Sequence, residues 1–585
     1  MGKQFTCMFG GEAGYGVMSA GSMVAKGANR SSLWSIVVNE YPSLIKGGLN
    51  TCLVRMAEEA LNGYEEKLNF LGVLSQPAFD VNVSKVMPGG IIVYDSGAVN
   101  PGSACLPEGV KLLAVSLAGS VPGDSAKVMA NSALLGAFCA VTGYPVQILK
   151  DVMADEFGNP ALIQANYTIF DKTYAVVKTT AAVQNDFPLA FSDATADKML
   201  LNGNEAISLG AIKAGCKFAA GYPMTPGSSV LAYLADHGPE YGLVFKQTED
   251  EIAAINMLIG AGYAGVRAIG ATSGGGFALM TEALGFAAQA EIPVVIVEAQ
   301  RGGPSTGLPT RTAQADLNFV VHASQGEFPR LVVAPGDVAE CFYETFRMFN
   351  LVEKYQVPGI ILTDKYLADT SISQPFFDMT GLAVDRGKLA DEEYLSQNQP
   401  YLRYRQTEDG VSPRAIPGQA GGRHIATSYT HGEDGFYSSG NREYAAAEPQ
   451  VTAEGLDKLF RKIALIGQEV PGLRQYGPDE AELTVIAWGS TKGAVLEAME
   501  LAKAQGVSVN FIQVLYISPF PEAAMTKALS TVKKSLLVEG NKTAQLGGMI
   551  RAHTGYKPDS VYLKYDSRPF VPSAILARIK EALGQ

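Results

Sequence analysis

The chain has 585 residues, which at about 150 residues per domain predicts three to four domains, each able to bury its own core. Its 46 lysines and arginines against 58 aspartates and glutamates leave a net charge of -12, which argues against binding to nucleic-acid phosphates or anionic lipid. Hydrophobic residues make up 47% and charged residues 18%, so buried sheets with tight turns are favoured over disorder.

Cysteine and histidine usage indicates no metal site in this chain. The six cysteines lie far apart without a Cys-x-x-Cys pair, so neither a zinc site nor a cysteine-ligated iron–sulfur cluster is predicted. The five histidines have no metal-ligand spacing. The first residues do not resemble a signal peptide, and no apolar run reaches about 18 residues. We therefore expect a cytoplasmic protein with reduced thiols and no membrane contact.

The first segment alternates predicted strands and helices. Apolar runs predict strands over 4–9, 50–56, 70–75 and 90–94. Small and apolar residues predict helices over 17–26 and 126–141. This order predicts an open α/β domain over 1–185, followed by a polar connector.

The rest of the chain divides into three further segments. Residues 195–375 alternate apolar runs with helical stretches, and the continuous apolar run 292–298 is typical of a parallel strand buried on both faces. Residues 376–470 show little periodicity and predict an extended linker over the surface. Residues 471–585 return to the α/β pattern and predict a third, smaller domain.

Two motifs of the first domain contain paired glycines. Gly10-Gly-Glu-Ala-Gly-Tyr-Gly16 stands between a predicted strand and a predicted helix, where glycine lets backbone N–H groups approach an anion. It departs from the spaced glycines of the dinucleotide fingerprint, so a tight turn and a ligand contact both stay open. Glu40-Tyr-Pro-Ser-Leu-Ile-Lys-Gly-Gly48 combines a rigid turn with a cation, and its chemistry alone favours neither role.

Three motifs of the second domain carry chemistry. Tyr222-Pro-Met-Thr-Pro226 follows a predicted strand, so its prolines fix a loop at the carboxyl end of that strand, the usual ligand edge of an α/β sheet. Glu249-Asp-Glu251 begins an apolar helix, where carboxylates ordinarily complement the helix dipole. Gln300-Arg-Gly-Gly-Pro-Ser-Thr-Gly-Leu-Pro-Thr310 follows the buried strand, and its arginine can hold a carboxylate through its fork of donors.

In this order, the five motifs and Ala271-Thr-Ser-Gly-Gly-Gly276 resemble the 2-oxoacid:ferredoxin (acceptor) oxidoreductase family, in its alpha subunits with a fused gamma-type domain. The resemblance covers almost the whole chain. It implies an α/β fold class with three α/β domains. These are a gamma-type oxidoreductase domain over 1–185, a pyrimidine-type thiamine-diphosphate-binding domain over 195–375 and, after the 376–470 linker, a transketolase C-terminal-like domain over 471–585.

The resemblance implies that four residues serve the substrate. Arg301 would pair with the substrate carboxylate, and Thr306 and Thr310 would line the same pocket. Lys46 would attract a phosphate or a distal substrate carboxylate.

The resemblance also places thiamine diphosphate beside the second domain. Tyr222, Pro223 and Thr225 would contact the cofactor, and the Thr225 hydroxyl would also hydrogen-bond near the substrate. A glutamate must hydrogen-bond the aminopyrimidine ring and assist its proton transfer. Glu249 and Glu251 both qualify by position, and the choice between them stays open.

The implied enzyme works across two subunits. A beta subunit would bind the diphosphate with Mg²⁺ and carry a 4Fe-4S cluster, in agreement with the dispersed cysteines of this chain. Coenzyme A would accept the acyl group and ferredoxin the electrons, or the reaction would run in reverse. 2-Oxoglutarate is the favoured substrate because the fused architecture is common in that branch. Pyruvate and branched or aromatic 2-oxoacids stay open.

Two other functions were weighed against the sequence. A self-sufficient thiamine enzyme of the transketolase kind would need a diphosphate and Mg²⁺ motif such as Gly-Asp-Gly with a downstream Asn, and nothing in the sequence fits it in context. A non-catalytic nucleotide-binding or assembly protein would use the 10–16 loop and bind nucleotide as an isolated chain.

Overall fold

A computed structural model describes residues 3–44, 47–102, 104–117, 126–180, 187–192, 198–439 and 447–585. The chain forms two compact units. The first comprises Met1–Asn202, Asp369–Phe377 and Val571–Ser573, and the second comprises Gly203–Ala368, Asp378–Phe570 and Ala574–Gln585. The predicted α/β class is confirmed, with three sheets. Within the described ranges, no helix is long and apolar enough to cross a membrane.

The first unit contains an eight-stranded sheet. Its strands are β1 (Gln4–Glu12), β2 (Trp34–Glu40), β3 (Leu49–Ala57), β4 (Leu68–Val73), β5 (Val86–Asp95), β6 (Lys111–Val115), β7 (Lys198–Leu201) and β14 (Ser371–Pro375). Their order is β6-β5-β4-β1-β3-β2-β14-β7, with β1, β4, β5 and β6 parallel and the others antiparallel. The first and last strands of the expected second domain, β7 and β14, thus pair within the sheet of the first unit.

Five helices accompany this sheet. They are α1 (Val17–Arg30), α2 (Gln76–Asn82), α3 (Ala126–Thr142), α4 (Val146–Phe157) and α5 (Pro160–Thr180). Buried aromatic side chains, among them Phe9, Phe70 and Phe138, pack with ring centroids 5.0 to 5.9 Å apart. Such burial supplies most of the stabilisation of an α/β sheet.

The second unit is built on a seven-stranded sheet. Its strands are β8 (Phe218–Gly221), β9 (Val244–Gln247), β10 (Ala268–Thr272), β11 (Val294–Gln300), β12 (Leu331–Val333), β13 (Pro358–Asp364) and β18 (Tyr516–Ser518). The order is β18-β12-β13-β11-β10-β8-β9, and all but the edge strand β18 are parallel. Its helices are α6 (Gly203–Lys213), α7 (Ser228–His237), α8 (Glu251–Tyr263), α9 (Gly274–Gln289), α10 (Leu317–His322), α11 (Val338–Tyr355) and α12 (Lys365–Asp369).

A five-stranded sheet completes the second unit. Its strands are β15 (Leu473–Tyr476), β16 (Leu483–Trp488), β17 (Val509–Val514), β19 (Ser535–Glu539) and β20 (Ser560–Leu563). The order is β15-β17-β16-β19-β20, with all but β15 parallel. Its helices are α15 (Thr491–Ala504), α16 (Glu522–Leu529), α17 (Gln545–Thr554) and α18 (Pro572–Leu583). One buried apolar cluster contains Ile296 of the central sheet and Trp488 of this one, so the two sheets share a core.

The segment expected to be an extended linker holds two helices within its described residues, 376–439 and 447–470, namely α13 (Glu392–Gln397) and α14 (Glu448–Glu469). Buried ion pairs fasten it to the central sheet domain. The Glu353 carboxylate lies 2.6 Å from Arg386 and 3.1 Å from Arg414 of this segment. The Glu291 carboxylate accepts a hydrogen bond of 2.6 Å from Lys462 of α14. Ion pairs leave no apolar period in the sequence, so periodicity could not predict this burial.

Candidate functional site

The predicted site residues of the second unit meet at the carboxyl edge of its parallel sheet. Strands β8, β10 and β11 are neighbours in register, so the loops that follow them lie side by side. A Cβ added to Gly227 would lie 2.5 Å from the Thr272 carbonyl oxygen, so the loop after β8 packs directly on the end of β10. This edge is where α/β sheets bind ligands.

Arg301 joins two of the predicted motifs. It is half-buried, and its Nη1 donates a 2.7 Å hydrogen bond to the Thr225 carbonyl oxygen. Among the described residues, no carboxylate forms an ion pair with it at 4.0 Å or less. Burial lowers the pKa of Arg301, while Asp316 and Glu298 oppose that shift. The guanidinium therefore keeps donors for an external carboxylate, which a planar fork binds well.

The loop after Arg301 folds back on itself. The Leu308 N–H donates to the Gly302 carbonyl at 2.7 Å. Gly307 has a φ of +54°, and a Cβ there would lie 1.8 Å from the Gly302 carbonyl oxygen, so no other residue fits. Thr306 is exposed on this loop, whereas Thr310 is buried. The two threonines expected to share a pocket thus have different environments.

The loop after β8 offers backbone and aromatic surface. Tyr222 and Pro223 are exposed and Thr225 is half-buried. Buried Asn204 fixes the loop, because its Nδ2 donates to the Pro226 carbonyl at 2.8 Å and to Ser229 Oγ at 2.6 Å. Arg301 uses the carbonyl of Thr225, so the hydroxyl expected to face substrate and cofactor is not consumed by that contact.

The two candidate glutamates differ sharply. Asp250 caps α8 by accepting a 2.8 Å hydrogen bond from Ala253 N–H, which makes Glu251 the first helical residue. Glu249 is exposed ahead of the cap, whereas Glu251 is 3% exposed. Within the described parts of the chain, Glu251 Oε1 has no hydrogen-bond partner. Burial, and secondarily Asp250, raises the pKa of Glu251.

Glycines at the start of α9 let two carboxylates approach its first turn. A Cβ at Gly276 would lie 2.4 Å from Glu251 Oε1, and one at Gly274 would lie 2.7 Å from Asp316 Oδ2. Burial raises the pKa of Asp316, and Arg301 opposes the shift. The glycines of the Ala271–Gly276 motif therefore allow close packing of side chains around the site.

Sequence reasoning missed Glu298, which lies on β11 three residues before Arg301. It has no exposed surface, and neither carboxylate oxygen has a partner among the residues that the structure describes. Burial raises its pKa well above the usual range, and Asp316 and Asp364 add to the shift. A carboxylate at the end of an otherwise apolar strand was the available signal.

The two motifs of the first unit lie together. The Ala13 N–H donates to the Gly48 carbonyl at 3.2 Å, which links the 10–16 loop to the 40–48 motif. A Cβ at Gly16 would lie 2.7 Å from Asn131 Nδ2, so this glycine serves packing. Tyr41 donates a 2.6 Å hydrogen bond to Asp369. Lys46 lies outside the described residues, so its role stays a prediction.

No group of three or more histidine, cysteine, aspartate or glutamate side chains in the described ranges could hold a metal ion.

Three sequence families match the chain. The family described as pyruvate ferredoxin/flavodoxin oxidoreductase matches residues 6–176, and the thiamine-diphosphate-binding family of pyruvate flavodoxin/ferredoxin oxidoreductase matches 209–448. The pyruvate:ferredoxin oxidoreductase core domain II family matches 481–563.

Individual proteins are similar over comparable lengths. The alpha subunit of 2-oxoacid:ferredoxin oxidoreductase 2 from Aeropyrum pernix is 32% identical over 639 residues, covering 98% of this chain and 97% of that protein. The 2-oxoglutarate synthase subunit KorA of Methanothermobacter thermautotrophicus is 36% identical over 59% of this chain and 88% of its own length. A solved structure of 2-oxoglutarate:ferredoxin oxidoreductase from Magnetococcus marinus, with 2-oxoglutarate, coenzyme A and succinyl-CoA bound, superposes with a TM-score of 0.89 at 34% identity over 100% of both chains.

Proposed function

This chain belongs to the 2-oxoacid:ferredoxin oxidoreductase family as an alpha subunit, and from that premise we propose that it decarboxylates a 2-oxoacid oxidatively. The products are an acyl-CoA and carbon dioxide, and the electrons pass to ferredoxin; the reverse carboxylation uses the same site. The observation that carries the proposal is the pairing of Arg301 with the Thr225 carbonyl at the same edge of the sheet as the buried Glu251, whose Oε1 has no partner among the described residues. One group can hold a carboxylate and the other can hold a proton.

2-Oxoglutarate is the proposed substrate. Arg301 recognises the carboxylate that every 2-oxoacid has, so it supports the class of substrate and not its side chain. The preference for 2-oxoglutarate is supported by the names of similar proteins, namely the KorA subunit and the structure with bound 2-oxoglutarate. Pyruvate and branched or aromatic 2-oxoacids are the alternatives.

Thiamine diphosphate is the proposed cofactor, and Glu251 supports its fit. A buried carboxyl oxygen without a partner is costly, and a ring nitrogen of the aminopyrimidine would satisfy it. Burial raises the pKa of Glu251, so this carboxyl holds a proton more readily than an exposed glutamate does. When bound, thiamine diphosphate supplies the carbon nucleophile that attacks the 2-oxo carbon. Tyr222, Pro223 and Thr225 of the loop after β8 would also contact it.

A beta subunit is the proposed partner, and the outer face of α8 and α9 is its proposed docking surface. Ile252 and Leu279 are each 50% exposed, and Met257 is also exposed. Helix α8 is apolar on nearly all sides, a pattern typical of a helix that is covered. A Cβ at Gly260 would meet nothing within 4 Å, so close approach of another chain is possible there. The partner would bring the diphosphate and Mg²⁺ site and the 4Fe-4S cluster.

The test is 2-oxoacid-dependent reduction of methyl viologen without oxygen. The chain, co-purified with its beta subunit and loaded with thiamine diphosphate and coenzyme A, is assayed with 2-oxoglutarate, pyruvate and branched 2-oxoacids. We expect activity with 2-oxoglutarate, and its loss in Arg301→Ala but not in Arg578→Ala, which removes a half-exposed cation of the C-terminal helix.

Two outcomes would redirect the proposal. Activity with another 2-oxoacid in place of 2-oxoglutarate would keep the reaction and change the substrate. Absence of activity with every 2-oxoacid, from a complex that contains thiamine diphosphate and its cluster, would refute the catalytic proposal. Nucleotide binding by the isolated chain would then favour the binding-protein alternative.

A further inference from the structure

Gln314 follows the Arg301 loop, which we define as residues 301–313, and its side chain is hydrogen-bonded at both Nε2 and Oε1. It is 3% exposed, and its Nε2 donates to the Trp488 carbonyl at 2.9 Å. Its Oε1 accepts from Thr491 Oγ1 at 3.1 Å and from Gly540 N–H at 2.8 Å. Trp488 ends β16, Thr491 begins α15 and Gly540 follows β19, so all three partners belong to the third domain, more than 170 residues along the chain.

The backbone of Gln314 is held by the same sheet edge. Its N–H donates to the Gly540 carbonyl at 2.9 Å, and its carbonyl accepts from Asn541 Nδ2 at 2.9 Å. A Cβ at Gly540 would lie 3.1 Å from Gln314 Oε1, so glycine is what admits the side chain this closely. We call these five hydrogen bonds the Gln314 clasp.

The receiving edge is itself fixed. Trp488 ends β16 and Glu539 ends β19, which are adjacent parallel strands. The buried Glu539 carboxylate accepts from Trp488 Nε1 at 3.1 Å, from Asn541 Nδ2 at 3.1 Å and from Leu546 N–H at 2.9 Å. The clasp therefore attaches the chain to a rigid part of the third domain.

The chain just beyond the clasp is also tied. The Ala315 carbonyl accepts from Gln545 Nε2 at 2.7 Å, and the Asp316 N–H donates to Gln300 Oε1 at 3.0 Å. The Arg301 loop thus runs between Gln300, at the end of β11, and Gln314. Fixing both ends of a loop limits the positions that its residues sample, here including the guanidinium that reaches Thr225.

We propose that Gln314 is a positioning residue for 2-oxoacid binding, through which the third domain holds the Arg301 loop in its binding geometry. The inference rests on the proposed function for the identity of the substrate. The third domain then contributes to substrate affinity through the position of the Arg301 loop. Misplacement of a binding group by about 1 Å can cost about a hundredfold in rate or affinity, so the contribution is measurable.

The test uses Gln314→Leu in the complete alpha–beta complex. Leucine keeps most of the volume and removes the three side-chain hydrogen bonds of the clasp. We expect KM for the 2-oxoacid to rise about tenfold while kcat changes by less than about threefold, because Arg301 binds a carboxylate already present in the ground state. KM for coenzyme A stays at the wild-type value.

Ser535→Ala is the matched control. Ser535 lies at the opposite end of β19, where its hydroxyl donates to Asp559 at 2.8 Å and accepts from Tyr556 at 2.9 Å. Its loss weakens the same sheet without touching the clasp. We expect this variant to keep the wild-type KM, which separates positioning of the loop from general weakening of the third domain.

A second measurement, amide hydrogen exchange of residues 302–313, is made on the same complexes. It needs no substrate, so it tests the clasp without relying on the identity of the 2-oxoacid. We expect faster exchange in Gln314→Leu and unchanged exchange in Ser535→Ala. If Gln314→Leu does not fold, Thr491→Val takes its place, because it removes one hydrogen bond of the clasp. We then expect a higher KM for the 2-oxoacid and faster amide exchange in Thr491→Val, and wild-type values of both in Thr491→Ser, which keeps the hydroxyl.

The outcomes are distinguishable. An inactive wild-type complex refutes the proposed function, and exchange then tests the clasp by itself. An active wild type with unchanged KM and unchanged exchange in folded Gln314→Leu overturns the inference, as does an equal KM rise in Ser535→Ala.

Discussion

Glu251→Gln is expected to raise stability and abolish most of the activity. Glu251 is 3% exposed, and its Oε1 has no partner within the described ranges. The substitution keeps the shape of the side chain and removes its charge and its proton. Residues that are poor for stability and necessary for chemistry are expected at a site where a ligand completes the hydrogen bonding.

The sign of the stability change follows from the pKa. Burial raises the pKa of Glu251 above the usual range of a glutamate. Below about pH 4.5 the carboxyl is protonated in both the folded and the unfolded chain, so the variant has no electrostatic advantage. As pH rises from about 4.5 through the raised pKa of the folded chain, the wild type loses stability because the unfolded chain ionises this carboxyl more readily than the folded chain does. Glutamine does not titrate, so the advantage of the variant grows from about pH 4.5 upward.

The magnitudes are accessible to measurement. An unsatisfied buried group costs about 1–3 kcal/mol. Glutamine stays polar but does not ionise, so at pH 8 it recovers only the part of this cost that comes from ionisation. Loss of a positioned proton donor costs about 10²–10⁴-fold in activity. Urea unfolding of the chain without cofactor at pH 5 and pH 8 gives the first quantity, and viologen reduction by the complex gives the second.

Glu249→Gln is the matched control because it makes the same chemical change two residues earlier at an exposed position. We expect it to leave stability and activity near the wild type. Loss of activity in Glu249→Gln with retention in Glu251→Gln would refute the assignment, and lower stability of Glu251→Gln at pH 8 would refute the electrostatic reasoning.

Three further predictions follow from the same contacts. Arg301→Lys, which keeps the charge and loses the planar fork, is expected to lower kcat/KM for the 2-oxoacid about 10–100-fold in steady-state assays; an unchanged value would contradict carboxylate binding by Arg301. Gly307→Ala is expected to lower kcat/KM because the added Cβ would meet the Gly302 carbonyl, whereas Gly303→Ala, where a Cβ meets nothing within 4 Å, should not; equal effects would contradict the loop geometry. Glu353→Gln is expected to cost about 3–5 kcal/mol in urea unfolding because three arginines share this buried carboxylate, and a loss below about 1 kcal/mol would show that the linker is not fastened there.

The convergence of the Thr225 and Arg301 motifs was predictable from sequence. Both follow apolar strands, and the carboxyl ends of neighbouring parallel strands meet at one edge. The choice between Glu249 and Glu251 was not, because it depends on Asp250 as the helix cap, and helix starts are uncertain by one or two residues.

Contacts between distant parts of the chain lay beyond sequence reasoning. In the sequence, Gln314 looks like any polar loop residue, because its partners Trp488 and Gly540 lie far along the chain and meet it only in the folded protein. The same holds for β14, of whose five residues four pair with β7, about 170 positions earlier in the chain. Short strands and buried polar pairs have no periodic signature, so only the folded arrangement identifies them.

The polar groups left unsatisfied around the site argue that this edge is shaped for a ligand and not for stability. Glu251, Ser273 and Glu298 all have buried oxygens without partners among the described residues, at or beside the ends of β10 and β11. Nearby Gln314 and Gln300, which also lie at this edge, have their hydrogen bonds made. The two glutamines that hold the ends of the Arg301 loop thus have hydrogen-bond partners, while these three buried groups have oxygens that do not. Since each unsatisfied group costs free energy in the empty protein, a ligand that supplies the missing partners binds more tightly by the amount that it relieves.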